Sequence, residues 1–202
     1  YEFIPLSEID SDHPDVLPIW EIEAGKTYEL IITACNGLWR YRIGDTVHIE
    51  QLNPVKINIA GRTKSFINAF GEELMVHNAE KAIARTSQET GVQVLNYTAA
   101  PVYAGDKSKG RHQWLIEFEK EPASLDEFAA LLDKHLQEEN GDYQAKRYQS
   151  IFLDIPEVVV ARRGLFDEWL ASTGKLGGQR KIPRLSNNRT VIDQMLSLMH
   201  NA

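Results

Sequence analysis

The segment between residues 26 and 61 is the feature that most constrains the fold. It begins with KTYELIITA (26–34), which is rich in residues that suit a pleated strand, and continues after Asn36 and Gly37 with LWRYRIGDTVHIE (38–50). An Asn-Gly pair between two such runs is typical of a β-hairpin turn. VKINIAG (55–61) alternates in the same way and is expected to pair nearby. The sequence therefore predicts strands joined by turns over this region.

The pattern changes at GRTKS (61–65), after which helical and strand-like segments alternate. The predicted helices are 72–91, 124–140, 164–172 and 190–199, and the predicted strands are 92–104, 111–120 and 156–162. Ser124 can cap the helix that follows it, and Gly91 is a suitable C-terminal stop. The order of these elements predicts a compact α+β domain, with a domain boundary between residues 60 and 61.

Composition and charge restrict the class of protein. The 202 residues are 43% hydrophobic and 25% charged, as in ordinary globular proteins, and the formal charge of -7 argues against broad contact with nucleic-acid phosphates. No apolar run reaches the ~18–20 residues that span a bilayer, and the start YEFIPLSEID does not resemble a signal peptide. The single Cys35 excludes an internal disulfide and a cysteine-based metal site. We expect a cytoplasmic protein that binds neither nucleic acid nor membrane.

YRIGD, residues 41–45, is the strongest candidate for a binding site. A glycine just before an aspartate lets the backbone turn tightly and presents the carboxylate at a strand end. Such a carboxylate can accept hydrogen bonds from a vicinal diol, for example that of a nucleotide ribose. The alternative is that Asp45 only forms the turn, which is the commoner role of an aspartate after a glycine.

Three motifs carry a resemblance to a known family. The stretch YELIITACNGLWRYRIGD (28–45) closely resembles the region around the third adenylation motif of the Gretchen Hagen 3-type acyl-acid amido synthetases, which conjugate auxin and jasmonate in plants and have bacterial relatives. YEFIPL (1–6) resembles the segment that follows the family's second nucleotide motif, and QRKIPR (179–184) resembles its Gln-x-Lys-x-Pro-Arg signature. The motifs occur in the family's order and cover nearly the whole chain.

The resemblance implies roles for residues near the hairpin. Asp45 is expected to bind the ribose of ATP. Tyr41 is a further candidate nucleotide contact, although its main expected role, like that of Arg42, is to shape the strand end. In the wider adenylate-forming superfamily, a Gly-Arg pair such as Gly61 and Arg62 opens the hinge between the large and small domains. Arg62 is therefore a candidate ribose or phosphate ligand through its planar fork of donors, with a surface arginine as the alternative.

Lys181 is the candidate catalytic residue, again from the resemblance. During adenylation a carboxylate attacks the α-phosphorus of ATP, and a cation that bridges the two groups offsets the developing negative charge. Lys181 stands in the glycine-rich segment GKLGGQRK (174–181), which we expect to form a mobile loop. The alternative is that Lys181 is an ordinary solvated lysine.

Other residues have simpler interpretations. Glu72 and Glu73 stand beside a glycine turn where they could border an amine site, but paired acids in a turn are usually solvated. The 6 histidines show no metal-ligand spacing and are expected to be surface or structural residues. Trp39, Trp114 and Trp169 lie in strand or helix patterns and are predicted to be core residues.

The resemblance also implies a domain organisation and a reaction. Residues 1–60 would be the β-hairpin-rich end of a large N-terminal domain, and residues 61–202 a small, mobile C-terminal α+β domain. A carboxylic acid and ATP, with Mg²⁺, would give an acyl-adenylate, which an amine, typically an amino acid, would convert to an amide. The family's Ser/Thr/Gly-rich phosphate loop does not occur in the sequence, so we expect the isolated chain to be inactive and to need the N-terminal domain of the same protein. The alternative is a non-catalytic nucleotide-binding or regulatory module that keeps the fold.

Overall fold

The chain forms two compact units, Tyr1–Ser65 and Phe66–Ala202. The computed structural model describes residues 1–9, 11–63, 65–103, 109–148, 153–173 and 182–200. Strands dominate the first unit and alternate with helices in the second, so the predicted α+β class is confirmed. The boundary expected after residue 60 falls inside the last strand of the first unit, Val55–Arg62. The mobility of the second domain stays a prediction.

The first unit is a five-stranded antiparallel sheet. Its strands are β1 (Glu2–Pro5), β2 (Leu17–Pro18), β3 (Thr27–Ile32), β4 (Tyr41–Leu52) and β5 (Val55–Arg62), in the spatial order β2-β1-β3-β4-β5. A short 3₁₀ helix, Leu6–Glu8, follows β1. β4 therefore lies inside the sheet, and β5 forms one of its edges.

The hairpin of β3 and β4 confirms the Asn-Gly prediction, although its loop is longer than expected. The turn sits at the tip, where the Gly37 N–H donates to the carbonyl of Ala34 at 3.3 Å. β4 begins at Tyr41 rather than at residue 38, because residues 33–40 lie outside the sheet. Trp39 is in this loop and is 80% exposed, so its prediction as a core residue is wrong.

The second unit contains a three-stranded sheet, a two-stranded one and five helices among its described residues. The strands are β6 (Phe66–Ile67), β7 (Leu74–Met75), β8 (Val94–Val102), β9 (Arg111–Phe118) and β10 (Glu157–Val160), and the helices are α1 (Val76–Thr90), α2 (Leu125–Glu139), α3 (Gly141–Arg147), α4 (Leu165–Ser172) and α5 (Thr190–His200). The larger sheet has the order β10-β9-β8, in which β8 runs antiparallel and β10 parallel to β9.

Both faces of the larger sheet are covered by helices. Trp114 and Ile116 of β9 belong to a core cluster with residues of α1 and α2, whereas Leu115 belongs to a second cluster with residues of α4 and α5. Successive side chains of a strand point to opposite faces, so β9 supplies both cores in turn. Trp114 and Trp169 are buried as predicted.

One helix start differs from the prediction, and one predicted helix end has a second role. The first predicted helix, 72–91, begins only at Val76, because Leu74 and Met75 pair with β6 as a short strand and Glu73 has a φ of 41°. Asn140 was expected to end the second helix, and it does, but its side chain also accepts from the Tyr143 N–H and starts α3. The predicted cap of Ser124 is confirmed.

Within the described ranges, no helix has the length and apolar character needed to cross a membrane.

Candidate functional site

Asp45 lies on a bulge in β4. One residue of β3, Leu30, stands opposite three residues of β4, 43–45, because the register shifts at this point. Gly44 has a φ of 77°, a conformation that residues with a Cβ rarely adopt. A bulge bends its strand and redirects the side chains that follow. The glycine therefore allows the bulge, and the bulge determines where the Asp45 carboxylate points.

Asp45 and Arg62 are direct neighbours across β4 and β5. Nε of Arg62 lies 3.2 Å from Oδ1 of Asp45, and the two side chains are 72% and 32% exposed, respectively. An ion pair this exposed adds little to stability, and its charged atoms are accessible to a ligand from solvent. A carboxylate can accept about four hydrogen bonds, which leaves Asp45 room for a ligand beside Arg62.

The chain that follows Arg62 is tied back to the bulge. The Thr63 N–H donates to the carbonyl of Gly44 at 3.0 Å, and the Ser65 N–H donates to the carbonyl of Arg62 at 2.8 Å. The first bond continues the β4–β5 pairing by one residue, and the second closes a turn after Arg62. The residues beside Asp45 are thus held by backbone contacts as well as by the ion pair.

Tyr41 is half exposed and stands at the start of β4, opposite Ile32. It stands four positions before Asp45 on β4, on the other side of the bulge. The structure brings Asp45 together with Arg62, whereas Tyr41 pairs with Ile32. Arg42 turns instead to Glu29, since its Nε donates to both carboxylate oxygens at 3.0 Å.

Lys181 and the loop 174–181 lie outside the described residues. The segment just after them is fixed to the edge of β8. The Ala99 N–H donates to the Arg184 carbonyl at 2.9 Å, and the Ser186 N–H donates to the Ala99 carbonyl at 3.1 Å. The Thr98 hydroxyl donates to the carbonyl of Pro183 at 2.7 Å. The C-terminal end of the QRKIPR motif is therefore an extended segment that is hydrogen-bonded to β8.

Arg184 adds a side-chain contact to this segment. Its guanidinium carbon lies 4.7 Å from the centre of the Tyr97 ring, and its Nη1 donates to the Tyr97 carbonyl at 3.3 Å. A cation over an aromatic face is attracted by the ring. Burial raises the pKa of Tyr97, so its ring stays neutral under Arg184. Arg184 of the signature therefore holds this segment against the sheet. Ile182, two residues earlier, packs against the second core cluster.

Glu72 is a buried hydrogen-bond partner of His112 rather than the solvated acid expected from sequence. Nε2 of His112 donates to its Oε1 at 2.7 Å, and both side chains are fully buried. The Phe70 N–H donates to its Oε2 at 2.7 Å. Burial by itself raises the pKa of Glu72, but the hydrogen bond and charge of His112 and two backbone N–H groups outweigh it and hold the pKa below the ordinary value.

Sequence reasoning missed two partners in these contacts, Glu29 and His112. Both are opposite-charge or polar partners that only the fold brings together: Glu29 is 13 residues from Arg42, and His112 is 40 residues from Glu72. One signal was available, because Glu29 stands in the otherwise apolar stretch YELII of β3. A charged residue inside a buried strand usually has a partner.

Two family domains match this chain in order. Residues 1–62 match the GH3 family central domain, and residues 77–190 match the GH3 family C-terminal domain. The chain therefore belongs to the GH3 family, as its resemblance implied.

Curated relatives are similar over most of the chain. An indole-3-acetic acid-amido synthetase, GH3.3, from Arabidopsis thaliana is 26% identical over 91% of the chain and 33% of its own length. The 4-substituted benzoates-glutamate ligase GH3.12 of the same plant is 23% identical over 91% of the chain and 34% of its length. Jasmonoyl--L-amino acid synthetase JAR4 of Nicotiana attenuata is 26% identical over 91% and 33%. The chain thus spans about a third of these relatives.

The fold is shared with a solved structure, that of the GH3.15 acyl acid amido synthetase. The TM-score is 0.66 at 19% identity, and the match covers 99% of this chain and 36% of that one. A likeness at this identity shows the fold. It supports the α+β architecture described above for both units.

Proposed function

We propose that this chain is the C-terminal part of an ATP-dependent, AMP-forming acyl-acid amido synthetase. In the first step a carboxylate oxygen of the acid attacks the α-phosphorus of ATP, giving acyl-AMP and pyrophosphate. In the second step an amine, typically that of an amino acid, attacks the acyl carbon, giving an amide and AMP. The curated relatives carry names of this reaction class, on an indole acid, a benzoate or jasmonate.

The observation that carries the proposal is the Asp45–Arg62 pair on the β4 bulge. Asp45 is partly exposed on a glycine-containing bulge, with the Arg62 guanidinium 3.2 Å away. The carboxylate suits the two hydroxyls of a ribose, since it accepts hydrogen bonds and donates none when ionised. The guanidinium suits ribose or phosphate oxygens, because it carries several donors in one plane. Tyr41, at the start of β4, is proposed to contact another part of the nucleotide.

Lys181 keeps its proposed role in the adenylation step. The proposal rests on the match of QRKIPR to the family signature and on the chemical need for a cation between the acid and the α-phosphate. Support comes from Pro183 and Arg184, which hold the following residues on β8. An anchored stem close to a catalytic residue limits the positions that residue can reach, which is the basis of orientation effects in catalysis.

The proposed cosubstrates are ATP, Mg²⁺, a carboxylic acid and an amino acid. Magnesium is expected to be bound mainly through phosphate oxygens, as is usual for nucleotide enzymes. The described parts of the chain contain no group of three or more His, Cys, Asp or Glu residues arranged to hold a metal. The protein residues would then bind the nucleotide rather than the cation.

The proposed partner of the first unit is the N-terminal domain of the same protein. The edge strand β5 and the end of β4 carry exposed apolar side chains: Leu52, Val55, Ile57 and Ile59. Contiguous apolar surface usually marks an interface. The curated relatives are about three times as long as the segment matched here, which makes the rest of the same polypeptide the natural occupant.

Acid-dependent exchange of pyrophosphate into ATP tests the proposal in the full-length protein. We expect exchange that needs a carboxylic acid and no amine, because the first step is reversible and independent of the second. ATP binding without exchange, across aromatic and aliphatic acids, would contradict the proposed enzyme and favour a non-catalytic nucleotide-binding module.

A further inference from the structure

An ion pair with a buried carboxylate spans the bulge that carries Asp45. Glu29 of β3 lies opposite Thr46, just after the bulge, whereas its carboxylate binds Arg42, just before it. Nε of Arg42 donates to both carboxylate oxygens at 3.0 Å, and Nη2 contacts the Oε2 atom as well. The Glu29 side chain is only 2% exposed. One residue of β3 is therefore tied to both flanks of the bulge.

The Arg42 guanidinium makes a third attachment. Its Nη2 donates to the carbonyl of Ile9 at 2.7 Å, so Arg42 links β4 to the chain that follows β1 as well as to β3. A two-pronged contact between a guanidinium and a carboxylate fixes direction as well as distance. The position of Arg42 along β4 is consequently set by two separate parts of the first unit.

We propose that Glu29 and Arg42 are positioning residues for nucleotide binding. The inference rests on the proposed nucleotide site at Asp45. Loss of Arg42 leaves the Glu29 carboxylate buried without compensation, and loss of the Glu29 charge releases the Arg42 guanidinium, which is 42% exposed, from β3. The strand can respond to either change by shifting. Residues 43–45 are the part of β4 without one-to-one partners on β3, so on that side their position depends on the Glu29–Arg42 pair that flanks them. A shift there carries the Asp45 carboxylate away from its place beside Arg62.

The experiment compares binding of ATP and of 2′,3′-dideoxy-ATP to the full-length protein by calorimetry. The ratio of the two dissociation constants reports how well the protein reads the ribose diol, and a purely structural role would not change it. We expect wild type to prefer ATP by at least about 10-fold, the size expected when hydrogen bonds to a charged group are lost. In Glu29→Gln the preference should fall below about 3-fold, because the bulge is no longer held.

Two further variants make the result decisive. Glu2→Gln is the control, since Glu2 of β1 also pairs with an arginine, Arg40 of the β3–β4 loop, at 3.0 Å and away from the bulge. It should keep the wild-type preference. Arg42→Lys retains the charge and loses the two-pronged contact, so it should also lower the preference, and it decides the matter if Glu29→Gln does not fold.

The outcomes separate this inference from the proposed function. If Asp45→Ala loses the preference but folded Glu29→Gln and Arg42→Lys keep it, the positioning role is wrong and the nucleotide site stands. If Asp45→Ala itself keeps the preference, Asp45 does not read the diol, and both ideas fail together.

Discussion

Asp45 and Arg62 face each other across β4 and β5, with Nε of Arg62 3.2 Å from Oδ1 of Asp45. The pair is open to solvent and adjoins a bulge that only a glycine at position 44 readily permits. Such an arrangement contributes little to the stability of an exposed sheet end. The proposed role of the pair is therefore to bind a ligand rather than to stabilise the fold.

Asp45→Ala should weaken ATP binding to the full-length protein by about 1–3 kcal/mol, because the ribose hydroxyls lose their acceptor. Calorimetric titration measures the change directly. Asp12→Ala, which removes an exposed carboxylate of the same unit, is the control and should bind ATP as wild type does. Equal affinity of Asp45→Ala and wild type would remove Asp45 from the site.

Lys181→Ala should slow acyl-AMP formation at least ~100-fold, about 2.7 kcal/mol of transition-state stabilisation, with a much smaller loss of ATP affinity. The reason is that a bridging cation matters most while negative charge develops. Single-turnover measurements of acyl-AMP formation test this, and the unfolding free energy should change by less than ~0.5 kcal/mol.

The second half-reaction provides the control for Lys181. Amide formation from supplied acyl-AMP should survive in Lys181→Ala. Intact adenylation with a lost amide step would assign Lys181 to the second step, and two intact steps would make it an ordinary lysine.

Glu72→Gln should lower the free energy of unfolding by about 1–3 kcal/mol at pH 7, because the substitution removes a buried carboxylate that accepts hydrogen bonds from His112 and from the Phe70 N–H. The folded-state pKa of Glu72 is held below its ordinary value of 4.5, so its stabilising contribution is complete above pH 4.5 and is lost as the pH falls through the folded-state pKa. The difference in unfolding free energy between Glu72→Gln and wild type should therefore shrink as the pH falls below 4.5.

Urea unfolding at several pH values, followed by the fluorescence of buried Trp114, measures the effect of Glu72→Gln. Glu121→Gln is the control, since Glu121 is exposed on the loop before α2. If the difference in unfolding free energy between Glu72→Gln and wild type stays constant down to pH 3, the ionised carboxylate of Glu72 is not what stabilises the folded protein.

Ile59→Ala tests the proposed interface on β5. Ile59 is 78% exposed in this chain, so if it stays exposed the substitution should change stability by less than ~0.5 kcal/mol. If the N-terminal domain covers it, the cost in the full-length protein should be about 2–4 kcal/mol, as for buried isoleucines. Ile155→Ala, at a half-exposed position of the second unit, is the comparison. A small effect at Ile59 would argue against this surface as the interface.

Local sequence signals predicted most of the fold. The Asn36–Gly37 turn, the cap at Ser124 and the stop at Gly91 depend on a few neighbouring residues, and the structure confirms each of them. The predictions that failed depend on distant contacts. The start of α1 is displaced because residues 74–75 pair with β6, and Trp39 is exposed because the hairpin loop extends to residue 40.

The candidate site was predictable in part for the same reason. YRIGD pointed to Asp45, since glycine and aspartate are adjacent in sequence, and the superfamily pattern pointed to Arg62. The register that places these two residues opposite each other, and the Glu29–Arg42 pair across the bulge, follow from strand pairing. Pairing register depends on the whole sheet and is not encoded in any short motif.

Oxygen transfer from acid to AMP tests the central claim most directly. The full-length protein is incubated with ATP, an amino acid and a carboxylic acid labelled with ¹⁸O in both carboxylate oxygens, and the products are analysed by mass spectrometry. An acyl-adenylate route predicts one ¹⁸O in the phosphate of each AMP and one in each amide, because the bridging oxygen leaves with AMP when the amine attacks the acyl carbon. Amide formation with unlabelled AMP, or with ADP and labelled phosphate, would contradict the account.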